Sequence, residues 1–191
     1  MMACFMRFYK SISVLIGLMC IFGVAIASEN SIEVKSASLD AVGDAYVLNA
    51  DFDLSFDRLL EEAVNKGVAL SFLIEFQISQ PRKYWFDDEI ITVRRQITLN
   101  FHALTRQYLV SYDGHQKSFE TLAEAQQALV HIDGWKVVSK NRLEDGETYQ
   151  AALLMRLDKA KLPKAIQVDA LSSENWNLAS EIYSWSFKDI K

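Results

Sequence analysis

Tyr46-Val47-Leu48-Asn49-Ala50-Asp51-Phe52-Asp53-Leu54-Ser55-Phe56 decides the fold. Every second residue is apolar, and Asn49, Asp51, Asp53 and Ser55 fill most of the gaps. Successive strand side chains point to opposite faces, so the segment presents one apolar face and one mostly wet face. The rhythm returns at Val68, Leu70, Phe72, Ile74, Phe76 and Ile78, and again at Val93, Ile97, Leu99 and Phe101, where Arg95 interrupts it. Shorter runs hold Tyr108, Val110 and Tyr112, then Tyr149 to Leu157, then Ile166, Val168 and Ala170, and finally Tyr183, Trp185 and Phe187. A further strand is expected near Ile32 to Leu39.

Two segments follow helical spacing instead. Phe56, Leu59, Leu60, Ala63 and Val64 recur every three or four residues, and Gly67 offers a C-terminal stop. Farther on, Thr121 and Glu124 have the spacing of a capping box. Leu122, Ala125, Leu129 and Ile132 then form an apolar stripe that Asp133-Gly134 is expected to end. Asp113-Gly114 and Asp145-Gly146 are turn dipeptides, and the link 102–105 is too short for a parallel crossover. Half-wet strands also suit antiparallel sheets, which can face water on one side. The expectation is a strand-rich α+β fold with a mainly antiparallel sheet, sandwich-like or strongly curved, and about two helices. With only Pro81 and Pro163 as prolines and no repeat or low-complexity tract, residues 28–191 read as one domain.

The first 27 residues read differently. Arg7 and Lys10 precede an uncharged run from Ile12 to Ala27, which closes on Ala25-Ile26-Ala27 before the polar Ser28-Glu29-Asn30-Ser31. A short basic start, an apolar core and small residues at the −3 and −1 positions are the pattern of a secretory signal peptide. The run is short for a membrane span, which needs ~20 residues. The expected localisation is therefore periplasmic; the rival reading is an uncleaved leader anchoring the chain to the inner membrane. Cleavage after Ala27 would take away both cysteines, Cys4 and Cys20, and two cations but no acid, so the net charge moves from −5 to −7. A mildly acidic domain argues against nucleic acid or a generic anionic membrane surface as partner. Without cysteines the domain has neither disulfides nor thiolate chemistry.

The residue types offer little chemistry. His102, His115 and His131 lack metal-ligand spacing, and no Gly-x-Ser-x-Gly elbow or phosphate-cradling glycine pattern occurs. No metal, nucleotide or other cofactor is expected. Asp51 and Asp53 share the wet face of one strand, and Asp87-Asp88-Glu89 form an acidic cluster. Each could serve acid–base or calcium chemistry, yet charges on a wet strand face also discourage edge pairing. The most unusual stretch is Gln80 to Glu89, where Arg82-Lys83 precede Tyr84-Trp85-Phe86 and then the three acids. A loop with Arg, Tyr and Trp has the composition of a binding hot spot, so Arg82, Lys83, Tyr84, Trp85 and Phe86 are the candidate partner-binding residues. Alternatively, one of the aromatics folds back over the core edge. An inward Arg95 would need a carboxylate partner or a route to solvent.

Several segments resemble a proteobacterial exported family, domain of unknown function 4390. They are Leu104-Thr105-Arg106-Gln107-Tyr108, Ser111-Tyr112-Asp113-Gly114 and Ser118 to Ala125, then Gly146-Glu147-Thr148-Tyr149, Met155 to Asp158, Leu162-Pro163 and Trp176 to Ser180. With the Tyr84-Trp85 region, the likeness runs from about Ile32 to Phe187. It implies export and an α+β domain but no catalytic residues, and members resemble one another in lying near genes for two-component sensor kinases. In physical terms, Leu162-Pro163 suits a strand-exit bend, Trp176-Asn177 a locked turn, and Arg156 with Asp158 one strand face.

Three functions follow as expectations. The first is a non-enzymatic binding domain that contacts an envelope protein, with a sensor-kinase ectodomain as the most specific partner. The second is a carrier of lipid or a small apolar ligand, with Phe52, Phe72, Phe76, Tyr149 and Trp185 lining a cavity. The third, a hydrolase acting through Asp87, Asp88 and Glu89, lacks an assembled base, nucleophile and orienter.

Overall fold

In the computed structural model, which describes residues 31–82, 84 and 87–188, the alternating stretch becomes strand β2, Ala45–Ser55. The expected leader lies outside the described residues. Tyr46, Leu48, Ala50 and Phe52 are buried, while Asp51 and Asp53 face solvent. β2 is the middle of a three-stranded antiparallel sheet, between β1, Ser31–Val42, and β7, His131–Ser139.

The second sheet has six strands in the order β6-β5-β4-β3-β8-β9, again all antiparallel. β3 is Leu70–Gln80, β4 Asp88–His102, β5 Gln107–Tyr112, β6 His115–Phe119, β8 Thr148–Leu157 and β9 Tyr183–Lys188. β3 lies between β4 and β8, and its Leu70, Phe72, Ile74, Phe76 and Ile78 are all 0% exposed. Burying one such side chain contributes ~1.5–3 kcal/mol, so this strand anchors the core. Both sheets feed one hydrophobic cluster. Rings meet across the interface, Tyr46 of β2 against Phe187 of β9 and Phe56 stacked on Phe72 at 9°. The outcome is an α+β, sandwich-like antiparallel fold.

Among the described residues, three α-helices flank the sheets: α1, Arg58–Asn65, α2, Leu122–Val130, and α3, Lys164–Ser172. Asp57 starts α1 by accepting a hydrogen bond from the Leu60 N–H, and Gly67 ends it with φ +87°. α2 carries the expected capping box, Thr121 and Glu124 each bonding the other's backbone N–H.

Four expectations need correction. Ile166, Val168 and Ala170 do not make a strand, because they belong to α3. Pro163, with φ −54°, presets the first turn. Within α3, Ala170 is buried and Ile166 is half-buried one turn away, while Val168 is 76% exposed. Ile132 does not extend α2, since β7 starts directly after Val130. Asp133-Gly134 is not a helix stop but a bulge in β7, where the register with β2 shifts opposite Asn49. Gly134, at φ +60°, donates its N–H to the Asn49 side chain at 2.7 Å. β6 has almost no apolar residues and is held by backbone pairing through the Asp113-Gly114 turn, where both residues have positive φ. Finally, Asp158 does not share a strand face with Arg156, because it has left β8 and caps the next turn through the Ala160 N–H.

Candidate functional site

Arg94 and Arg95 separate as strand neighbours must. Arg94 points outward and pairs with Glu75, whereas Arg95 lies on the apolar face of β4 with its side chain 14% exposed. Its guanidinium carbon lies 4.6 Å from the Trp135 ring centroid and 5.9 Å from that of Tyr112. Trp135 comes from β7 of the other sheet, so the cation is held between the layers by aromatic faces. The Tyr112-Asp113-Gly114-His115 turn brings the Asp113 carboxylate to 2.9 Å from Arg95 Nε. The Nε–H is not aimed at that oxygen, however, and no described residue accepts an aligned bond from it. The contact is therefore an ion pair without an aligned hydrogen bond. Burial pulls the guanidinium pKa down from its ordinary value, and Asp113 opposes the shift. An arginine nevertheless stays charged in a protein.

Arg95 opens into a cavity of about 310 Å³ between the sheets, floored by Ile97, Val110 and Ile132 and bordered by Ala128, Tyr112, Lys117, His131 and Asp133. Of these, the sequence flags only Arg95, by its break in the apolar alternation. Its partners Asp113 and Trp135 come from segments far apart in the chain, and only folding unites them. His131 is held at the rim by Asp51, Nδ1 to Oδ1 at 2.7 Å. That bond, with a further one from Ser36, keeps the Asp51 carboxyl below its ordinary pKa against the opposing effect of burial. Asp53 pairs instead with Lys35 at 2.8 Å, so the two acids of β2 have separate partners.

The β3–β4 hairpin ends in the segment singled out by composition. Arg82 pairs with Asp88, and its N–H donates to Asp87. Tyr84 is 86% exposed. Lys83, Trp85 and Phe86 lie outside the described residues. Glu89 takes bonds from Gln77 and Thr92, whereas Asp87 and Asp88 both bond Arg82, one at its backbone N–H and the other at its guanidinium, so the three acids do not converge on one partner. Among the described residues, no three His, Cys, Asp or Glu side chains are grouped to hold a metal ion.

A second, wider concavity of about 830 Å³ lies between α1 and α3. Leu59, Ala63, Val68, Ile166 and Trp176 line it, with Arg58, Glu62 and Lys66 at its rim. The aromatics expected to line a carrier cavity do not border it. Phe72, Phe76 and Tyr149 are at most 1% exposed, and Trp185 packs on Phe76 with ring centroids 6.0 Å apart.

With these surfaces in place, the chain can be set against known proteins. Residues 29–186 match the family Domain of unknown function (DUF4390). The chain belongs to that family. The matched span runs through every element from β1 into β9, so the Arg95 cavity and the hairpin tip both belong to the DUF4390 domain. Neither a curated protein nor a solved structure matches the chain.

Proposed function

We propose that this DUF4390 domain is a non-enzymatic binding domain of the cell envelope. It is exported to the periplasm behind the Met1–Ala27 leader and contacts an envelope protein through the tip of the β3–β4 hairpin. One observation carries the reading. Among the described aromatic residues, only Tyr84 and Tyr183 are exposed, and Tyr84, at 86%, is far the more so. A largely exposed aromatic gains from a partner's pocket, and tyrosine is enriched at such hot spots. The Arg82–Asp88 pair braces the base of the tip. The partner proposed is the periplasmic domain of a two-component sensor kinase. In co-purification from envelope extracts, the wild-type chain is expected to recover a sensor kinase and a Tyr84→Ala/Trp85→Ala double mutant to lose it. Equal recovery by both would remove the tip from the account.

A second reading, a carrier of a lipid or small apolar ligand, draws support from the apolar groove between α1 and α3. Its size falls within the range of small-molecule sites. Native mass spectrometry of the freshly purified domain tests it: the carrier reading expects an added mass that organic extraction removes. The bare protein mass throughout counts against it.

A further inference from the structure

We propose that the cavity around Arg95 binds a small organic carboxylate with an apolar body, at a site independent of the hairpin tip. An arginine on the apolar face of a central strand is costly to bury, and a purely structural one is normally repaid by aligned bonds to a carboxylate. Arg95 lacks that compensation. It has one ion-pair neighbour, Asp113, and no aligned hydrogen bond to any described residue. The Trp135 and Tyr112 rings lie against the guanidinium, and its buried Nε–H has no aligned acceptor among the described residues. A planar fork of this kind matches the two oxygens of a carboxylate.

The rest of the cavity narrows the ligand class. Lys117, across the sheet from Val110, adds a second cation that makes no ion pair among the described residues. Ile97, Val110 and Ile132 offer an apolar floor for a hydrocarbon body. Asp133 also lines the cavity, and Asp113 stands beside Arg95, so the two cations face two acids. That balance favours a single negative charge over a dianion such as phosphate. A volume near 310 Å³ is at the small end of ligand sites and suits a compact acid.

The test uses the ¹⁵N-labelled domain and follows the Trp135 indole N–H, which reports directly on the group stacked against it. Probes are benzoate, butyrate, neutral benzamide and inorganic phosphate. Benzoate or butyrate is expected to shift this signal saturably, and benzamide is not. Arg95→Met is expected to weaken the carboxylate by ~10-fold or more, the loss of a charge-assisted hydrogen bond. Arg95→Lys keeps the charge but loses the fork, and should weaken it by a smaller factor. Ala128→Leu retains Arg95 on a good helix former while filling the cavity, so it keeps the test open should Arg95→Met not fold. No saturable shift with either carboxylate overturns the proposal. So do benzamide binding as well as benzoate, phosphate binding more tightly than both acids, or folded variants that bind as the wild type does.

Discussion

Phe76→Ala is expected to lower the free energy of unfolding by ~3–5 kcal/mol, a large share of the ~5–15 kcal/mol that holds an ordinary domain together. Phe76 is 0% exposed in the central strand β3, opposite Val93 of β4 on one side and Leu153 of β8 on the other. Its ring packs against Trp185 of β9, 6.0 Å between centroids and tilted by 38°. Truncation therefore loses the transfer free energy of the ring and leaves a void, because sheet backbones on both sides resist collapse. Phe76→Leu keeps most of the volume and should cost much less. Urea unfolding followed by circular dichroism measures both, and an unchanged slope would place the effect on stability alone. A cost below ~1 kcal/mol for the alanine variant would mean that the sheets are not tightly packed at this point.

What the sequence revealed and what it hid divide along one physical line. β2 and β3 were legible because half-burial of a sheet writes itself as period-two alternation, and β2 shows it most plainly. The capping box of α2 was legible because its chemistry is local to Thr121 and Glu124. β6 was invisible because a polar edge strand is held by backbone bonds, which leave no hydrophobic pattern. β7 was hidden by its bulge, since a glycine at positive φ is needed at a bulge as well as at a turn. α3 is short, and its buried side carries little more than Ile166 and Ala170, so alternation over five residues imitated a strand. The Arg95 cavity was half legible. A cation breaking an apolar face announces a demand for partners, but Asp113, Lys117 and Trp135 reach it only through the pairing of β5 with β6 and the packing of one sheet on the other. The sequence could pose the question that Arg95 raises but not name what answers it.

Trp176 supplies the second large effect, with an unusual pattern across two substitutions. It is 3% exposed and lines the groove where α1 and α3 approach each other. Trp176→Ala should cost ~3–5 kcal/mol, as expected for a buried ring. A buried tryptophan usually also loses an indole hydrogen bond on replacement by phenylalanine, which adds to the cost. Here the Nε1–H is buried with no hydrogen-bond partner among the described residues, so Trp176→Phe sheds a donor that already lacks an acceptor. Its cost should fall to ~1–2 kcal/mol, the loss of ring area alone. The two variants should differ in dynamics as well. Just after Trp176, the chain zips onto the end of β8: Leu157 N–H donates to the Leu178 carbonyl and Ser180 N–H to that of Met155, each at 2.8 Å. The Ser180 hydroxyl accepts from the Met155 N–H in turn. With Trp176 as the anchor of this zipper, Trp176→Ala should speed hydrogen exchange at Met155, Leu157 and Ser180 more than at β3, while Trp176→Phe leaves them protected. If phenylalanine proves as costly as alanine, the indole N–H has an acceptor that matters, and the ring area is not what anchors the segment.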